Sequence, residues 1–490
     1  MFSPHYKNTL LFFGITLAII TAIPSCVDEK FSTDPSLKLS FSADTLLFDT
    51  IFTTVGSATY KLMVYNPNNK NLEISSIGLA KGANSPYRLN VDGSVSKDNR
   101  FQNIEIRAKD SLFIFVEVTI DPQTTNAPTF IKDSIIFNTN RNLQNVKLIS
   151  YGQNMQVLRN RTILHDTTLT ADKPYLIYGN LTVADAKTLT LEPGCRMYFH
   201  AKSNLIVKGN LMAVGKRDKP ILLRGNRLDK LFTDVPYNYV SNQWGSVALT
   251  NPEGHHQLEF VQINSGYTGL FFVNEERSKT PTLEITNCRI HNCLKYGLVV
   301  QNGNIKVANT EISNTGSYSV YLSGGKHTFI HSTIANYFNS SNVLLQPSSR
   351  EPNAACFITE LEKTQPMETV FENCIIAGSA TNELELMTRF TIDYHGTFKN
   401  SYIRNQKPET SLPQFINVRW YEKPDTVFKN TYFDVNKKLY YNFMPDSVSP
   451  ARNIGDIEIA KKYPFDLNGK NRLEDNKPDA GAYEWQRKAR

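Results

Sequence analysis

Between Asn287 and Asn336 the chain repeats one short pattern of apolar and polar positions: anchored on Ile290, it returns at Ile312 and Ile334, 22 residues further each time. With looser spacing it recurs around Ile263, Ile376, Ile403 and Phe433, which gives seven copies. Apolar runs of strand length alternate with polar turns, and nothing between them keeps a helical period. A repeat of this size built from strands predicts a β-solenoid, each copy a coil that buries its apolar face against its neighbours.

Five positions before the anchor stand Leu258, Ile285, Val307, Phe329, Phe371, Phe398 and Phe428; two before it stand the slim residues Val261, Cys288, Thr310, Ser332, Cys374, Ser401 and Thr431. Both columns are predicted to point inward with the anchor. Side chains alternate along a strand, so the column five before the anchor has the wrong parity and a bend must lie between. Asn287, Asn309, Asn373 and Asn400 stand three before the anchor, and asparagine is the non-glycine residue that best accepts the left-handed backbone of a sharp corner. A second series, Asn292, Asn314, Asn336 and Asn405, would end the strand; stacked amides of this kind can hydrogen-bond along the coil axis. A further strand is expected at 297–300 and 319–322. The 42-residue gap from Ile334 to Ile376 contains a polar, proline-bearing stretch, Gln346 to Glu368, that does not fit the columns. It reads as a loop inserted into the solenoid or as a disordered insertion.

Upstream, residues 37–154 read as a separate all-β unit. Tyr60 to Tyr65 precedes the turn Asn66-Pro67-Asn68-Asn69, and Leu72 to Ile74, Phe113 to Ile120 and Ile135 to Phe137 give further short strands between polar turns, as in a sandwich.

Composition adds little to the fold and more to the setting. With 490 residues the chain is too long for one ordinary compact domain, and 40% hydrophobic residues exclude a disordered chain. The net charge of +7 is spread along the sequence without a basic block, so no nucleic-acid partner is expected. At the N-terminus Lys7 precedes an apolar run from Leu10 to Ile23, short for a membrane span and right for a targeting segment. Of six cysteines, five remain once Cys26 is set aside, an odd number that argues against a complete disulfide framework. Cys288 and Cys374 share a column with Thr and Ser and read as small core residues.

Five resemblances follow from these residues. Ile23-Pro24-Ser25-Cys26 resembles the lipobox of bacterial lipoproteins, which implies removal of residues 1–25, acylation of Cys26, a tether at 26–36 and an envelope protein held in the outer membrane. The acidic Asp28 and Glu29 resemble the tether that directs some such proteins to the cell surface; an ordinary secretory signal with an incidental cysteine is the alternative. Asp49-Thr50, Gly56-Ser57, Val64-Tyr65-Asn66, Ser111 to Val116, Asp133-Ser134-Ile135 and Tyr151-Gly152-Gln153 resemble the immunoglobulin-like domains that precede solenoids in surface lipoproteins. Leu189 to Gly194, Leu205 to Gly209, Ala213-Val214-Gly215, Pro220-Ile221 and Trp244 to Val247 resemble the opening coils of right-handed parallel β-helix proteins of the pectate-lyase-like superfamily. The expected architecture is all-β: an immunoglobulin-like β-sandwich at 37–154, a right-handed parallel β-helix at 173–436 and a capping segment at 437–490. That last segment, with Asp466 to Arg472 and Pro478 to Glu484, resembles the closing segment of bacterial β-helices and should pack back on the last coils. A clasp of Arg472 with Asp466 or Asp479 is expected there; calcium held by Asp466, Asn468 and Asp475 is the alternative, and no other cofactor or metal site is implied.

Many members of that superfamily cut acidic polysaccharides, with stacked carboxylates that hold calcium or with close aspartate pairs. Outward positions beside the anchor read Gln262, Arg289, Glu311, Thr333, Ile375 and Tyr402, so carboxylates do not stack. Arg289 and Glu311, one coil apart, should pair with each other, a surface bridge worth little. Arg289 with His291 is the candidate catalytic pair should the chain be a polysaccharide lyase or glycoside hydrolase. His255, His256, His327, His331 and His395 read as surface or corner residues. The leading expectation is a non-catalytic protein that binds a polysaccharide or another surface macromolecule along the β-helix flank, through Trp244, Tyr267, Tyr296 and Trp420, with Tyr318, Tyr321 and Tyr421 beside them. Core stacking is the alternative for each ring, and a purely structural spacer is the alternative for the whole.

Overall fold

In a computed structural model of the chain, the residues described are 30–231, 235–338, 354–360, 364–387, 394–409, 412–422, 426–434 and 436–486. They divide into two compact units. The first is sandwich-like, built on two five-stranded sheets: 40–41, 60–65, 111–118, 87–91 and 94–95 in one, and 45–52, 142–153, 129–139, 72–79 and 100–106 in the other. Strand Ser111–Val118 alternates partly exposed and buried positions along nearly its whole length, the pattern of a sheet with one face on a core. Rings from the two sheets meet inside, Phe41 against Phe137 at 4.7 Å and Phe48 against Tyr60 at 4.4 Å.

The second unit is a right-handed parallel β-helix. Each full coil contributes three strands, for example Thr282–Thr286, Arg289–Cys293 and Leu298–Gln301. The first strands stack into a 10-stranded sheet and the second and third strands into an 18-stranded one. Parallel pairing begins at Gln156, which aligns with Tyr175, upstream of the expected residue 173.

The columns read from the sequence are physical rows. Ile263, Ile290, Ile312, Ile334, Ile376 and Ile403 are successive Cα partners, none more than 1% exposed. The same row continues upstream through Leu223, Met197 and Tyr175. The column five before the anchor forms a second row, Leu258, Ile285, Val307, Phe329, Phe371 and Phe398. There Phe329 and Phe371 stack at 4.6 Å and 2°, and Phe371 and Phe398 at 4.9 Å and 11°. The slim column is buried between them, with Cys288, Thr310, Ser332, Cys374 and Ser401 all at 1% exposure or less. Cys195, Cys288, Cys293, Cys356 and Cys374 are free and buried.

The bend between the two inward rows has the predicted residue. Asn287, Asn309, Asn373 and Asn400 all have positive φ, between 47° and 56°, and Phe260, His331 and Asn417 adopt the same conformation at the corresponding corners. Amides join along the axis in part: Asn309 Nδ2 donates to Asn287 Oδ1 at 3.4 Å, Asn417 Nδ2 donates to Asn400 Oδ1 at 2.5 Å, and Asn373 Nδ2 meets His331 Nε2 at 2.9 Å.

Three expectations are corrected. The copy anchored at Phe433 is not a coil: Phe428–Asn430 pairs antiparallel with Asn442–Pro445, and the coil after Ile403 is closed by Phe415 and Trp420, the partners of Phe398 and Ile403. Phe428, Asn430 and Thr431 give that copy the right residue types, but its strand pairs with a hairpin partner instead of the preceding coil. The stretch 346–368 is not wholly an insertion, because Cys356–Thr359 is a third strand aligned with Val320–Leu322 and Met367–Glu372 is a first strand; its part up to residue 353 lies outside the described residues. Finally, His256 and His327 are not surface residues. Both lie in one inward row with Leu283 and Ile305, at 3% and 1% exposure.

The C-terminal segment reaches much further than the last coils. Arg217, near the start of the β-helix, donates to the carbonyls of Asp466 and Leu467 at 3.1 and 2.9 Å. Asn309 Nδ2 donates to Phe465 O, Ala482 N to Thr333 Oγ1 and Gly481 N to Asn373 O. The segment is therefore a strap laid across many coils, with Ala480, Ala482 and Tyr483 packed on Ala335, Ile375, Ala377 and Tyr402. It needs glycine at 481, where φ is 91° and a Cβ would fall 2.6 Å from Ile375 Cδ1. The clasp at Arg472 is buried, but its carboxylate partner is Glu484, at 2.8 Å, rather than Asp466 or Asp479. Asp466 instead accepts the backbone N–H groups of Asn468, Lys470 and Glu484, and Asp479 those of Asn453 and Trp485.

Candidate functional site

Two features of the β-helix gather chemistry on its surface, a pocket over the second strands and a row of rings on the third. The pocket follows from parity. With Ile290 and Ile312 inward, Arg289, His291, Glu311 and Ser313 must face outward, and register sets Arg289 opposite Glu311 and His291 opposite Ser313. The strap closes a pocket of about 250 Å³ over them. Tyr441, Phe443, Asn468 and Tyr483 of the strap line it, as does Tyr239 from the short helix Tyr237–Tyr239.

The expected direct pairing of Arg289 with Glu311 is replaced by a bridge. Arg289 Nε donates to the Tyr483 hydroxyl at 3.1 Å, and that hydroxyl donates to Glu311 Oε2. Arg289 Nη2 donates to Asn468 Oδ1 at 2.7 Å, and Ser313 Oγ donates to Glu311 Oε1 at 2.6 Å. Burial holds the Tyr483 phenol well above its ordinary range, and the neighbouring Glu311 carboxylate adds to this against the pull of Arg289. Burial also lowers the His291 imidazole, with Arg289 in the same direction and Glu311 opposed. The candidate pair Arg289 and His291 is thus brought together in a pocket. Glu311 is the single carboxylate among the described residues that line it, whereas acid-base cleavage of a glycosidic bond uses two. Among the described residues no three His, Cys, Asp or Glu side chains are grouped to hold a metal ion.

The second feature lies on the outward face of the third strands and the corner before them. Tyr296 and Tyr318 stand two residues before consecutive third strands, their rings 6.5 Å apart and 12° from parallel. Tyr318 stacks on Phe357 at 4.6 Å and 16°, and Tyr321 lies 5.4 Å from Phe357 and 5.9 Å from Tyr296. Phe271 is in the same register row as Tyr321 and Phe357, and is 38% exposed; Tyr267 on the preceding corner is 45% exposed. The Tyr318 hydroxyl reaches Glu385 Oε2 at 3.4 Å. Burial, followed by that carboxylate, pushes its phenol up to about 12. The row therefore stacks ring on ring along the coils, with Tyr267 and Phe271 its most exposed members.

Of the expected binding rings, Tyr267 is exposed and Tyr296 half-buried, whereas Trp244 is in the core. It is 1% exposed, stacked on Phe199 at 4.3 Å, and its indole N–H donates to Asn264 O at 2.9 Å. A ring of that size next to Gly245 fills a corner of the core instead of standing outside it. Trp420 is half-buried as the last member of the isoleucine row, edge-on to Phe415 at 5.0 Å, so its first task is to close the core's end. Phe271 and Phe357 were missed by sequence reasoning, although the alternation through Leu270-Phe271-Phe272 already places Phe271 outward. Cys26 lies outside the described residues.

Residues 268–359 match the family described as the right handed beta helix region. The chain is similar to Protein bark beetle of Drosophila melanogaster, 41% identical over 51 residues, which is 10% of this chain and 2% of that one. Similar solved structures include a family 123 glycoside hydrolase from Clostridium perfringens, with 9% identity, 25% of this chain and 30% of that chain covered, and a TM-score of 0.17. Another is the ASH / PapD-like domain of human CEP192, with 11% identity, 26% and 91% covered, and a TM-score of 0.17. A third is a protein from Porphyromonas gingivalis W83, with 10% identity, 26% and 60% covered, and a TM-score of 0.18. At such scores these likenesses carry no argument about activity. The matched family region and the stacked parallel sheets together place the solenoid of this chain among the right-handed parallel β-helices.

Proposed function

We propose that this chain is a lipid-anchored envelope protein whose β-helix flank binds a glycan without cleaving it. The observation that carries the reading is the partly exposed row of Tyr267, Phe271, Tyr296, Tyr318 and Tyr321 on consecutive coils. Rings spaced by a coil repeat suit stacking on successive sugar faces, and their hydroxyls suit the sugar edges. The anchor rests on the lipobox ending at Cys26, and the N-terminal sandwich, read as immunoglobulin-like, serves as a stalk. Retention on immobilised polysaccharides tests the binding. Tyr296→Ala with Tyr318→Ala is expected to weaken it about tenfold, since each ring contributes roughly 0.5–1.5 kcal/mol. Failure of the unaltered chain to bind any polymer on a broad glycan array sinks the reading. For the anchor, Cys26→Ala should abolish labelling by a fatty-acid analogue.

A polysaccharide lyase or hydrolase is the second reading, favoured by the meeting of Arg289, His291 and Tyr483 in one pocket. Product release from acidic polysaccharides in the presence of calcium, abolished by His291→Ala, would establish it in place of the first. A spacer without a ligand would give neither result.

A further inference from the structure

The strap pocket has a chemistry distinct from the aromatic flank, and its composition specifies a ligand class. Its volume of about 250 Å³ is below the range of roughly 300–1,000 Å³ that suits drug-sized molecules, so it takes one small ring rather than a length of chain. Tyr239, Tyr441 and Phe443 provide apolar walls, the last two 6.0 Å apart and 17° from parallel. The floor is polar on two adjoining coils, where His291 and Ser313 are register partners and both line the pocket.

Charge narrows the class further. Arg289 is the cation of the lining and Glu311 its anion, and they offset each other. Arg289 is also committed, with Nε on Tyr483 and Nη2 on Asn468, so its fork is not presented to a ligand carboxylate as a bidentate partner. Glu311 accepts from Tyr483 and Ser313, and its carboxylate repels any further anion brought beside it. Hydroxyl groups meet no such penalty, since they can donate to Glu311 or to Ser313 Oγ and accept from His291.

We infer that this pocket binds a single neutral hexose residue, free or at a chain end, and rejects the corresponding uronic acid. The inference takes from the proposed function only that sugars are the ligands, and it concerns a different face of the coil.

Calorimetric titration of the full chain in detergent with the methyl glycosides of glucose, galactose and mannose, alongside galacturonate and glucuronate, tests it. At least one neutral glycoside should saturate the protein in the millimolar range, at least tenfold more tightly than its uronate. Tyr239→Ala should weaken that binding about tenfold. Glu311→Gln should raise uronate affinity about tenfold, because it removes the repelling charge and leaves Arg289 unopposed. Thermal melting of each variant checks that it folds, and Tyr239, on a separate short helix, carries the test should Glu311→Gln not fold. Uronate bound as tightly as the neutral sugar, no saturation by any neutral glycoside, or unchanged binding in Tyr239→Ala overturns the assignment. Since monosaccharides alone are used, the result reads the pocket whether or not the flank retains any polymer.

Discussion

A single backbone conformation repeated at each corner makes the coil possible. At Asn287, Asn309, Asn373 and Asn400 the chain turns through positive φ, which a β-branched residue resists at a cost of roughly 1–2 kcal/mol. Asn400 also accepts the Asn417 side-chain amide at 2.5 Å, a bond worth about 1 kcal/mol. Asn400→Gly should therefore lose only the bond, while Asn400→Val should lose bond and conformation together. In urea denaturation the valine variant is expected to be less stable than the glycine variant by about 1–2 kcal/mol; equal stabilities would mean that the corner is not strained. The corner was legible in the sequence because asparagine advertises it. Where Phe260 and His331 hold the same conformation, the residue type conceals it and only register discloses it.

At the scale of the coil, stability comes from rows stacked along the axis. Phe371 is fully buried between Phe329 and Phe398, at 4.6 and 4.9 Å. Truncation to alanine leaves a cavity flanked by two rings that cannot collapse into it, and Phe371→Ala is expected to cost about 3–5 kcal/mol. Phe371→Leu should cost distinctly less, and equal losses in equilibrium unfolding would show that the stack adds nothing beyond an apolar filler. These rows could be read from periodicity because burial against the next coil imposes the same requirement every 22 residues or so. The ends escaped the same reading. Trp420 closes the isoleucine row after a short last coil of 17 residues from Ile403, and Cys356–Thr359 resumes a coil inside a stretch whose overall polarity hid it.

In the whole molecule, buried ionisable groups set how stability depends on pH. Burial lowers His256 and His327 to about 4 from an ordinary 6.5 and lowers His331 in the same sense. Below pH 6.5 the unfolded chain takes up protons that the folded chain refuses, so these groups stabilise the fold above 6.5 and that contribution is lost as pH falls toward 4. Glu383 has the opposite sign. Burial pushes its carboxyl up to about 8 from 4.5, against the Ala380 and Ala355 amides and Arg404. Its contribution is complete below 4.5 and lost as pH rises to about 8. Burial likewise pushes the Glu484 carboxyl up to about 8 and lowers His291; the lowered histidines outnumber the raised carboxyls below 6.5 and the carboxyls act without them above it, so the melting temperature should peak near pH 6.5. Glu383→Gln should make the alkaline side shallower and leave the acid side unchanged. A melting profile that climbs steadily from 6.5 to 8 would show that Glu383 is ionised throughout.

The order of residues by itself determined the inward rows, the asparagine corners and the two-part β architecture, because alternation and backbone preference act over a few positions and recur with every coil. Which outward residues meet was left to the tertiary structure. Tyr483 comes between Arg289 and Glu311 across 194 and 172 positions, and Arg472 reaches Glu484 and Asn309 together. Trp244 turns into the core while Tyr296 and Tyr318, two and three coils on, remain partly exposed. Such contacts depend on where a non-repeating strap lands on the coils, and a segment without periodicity carries no local record of its partner.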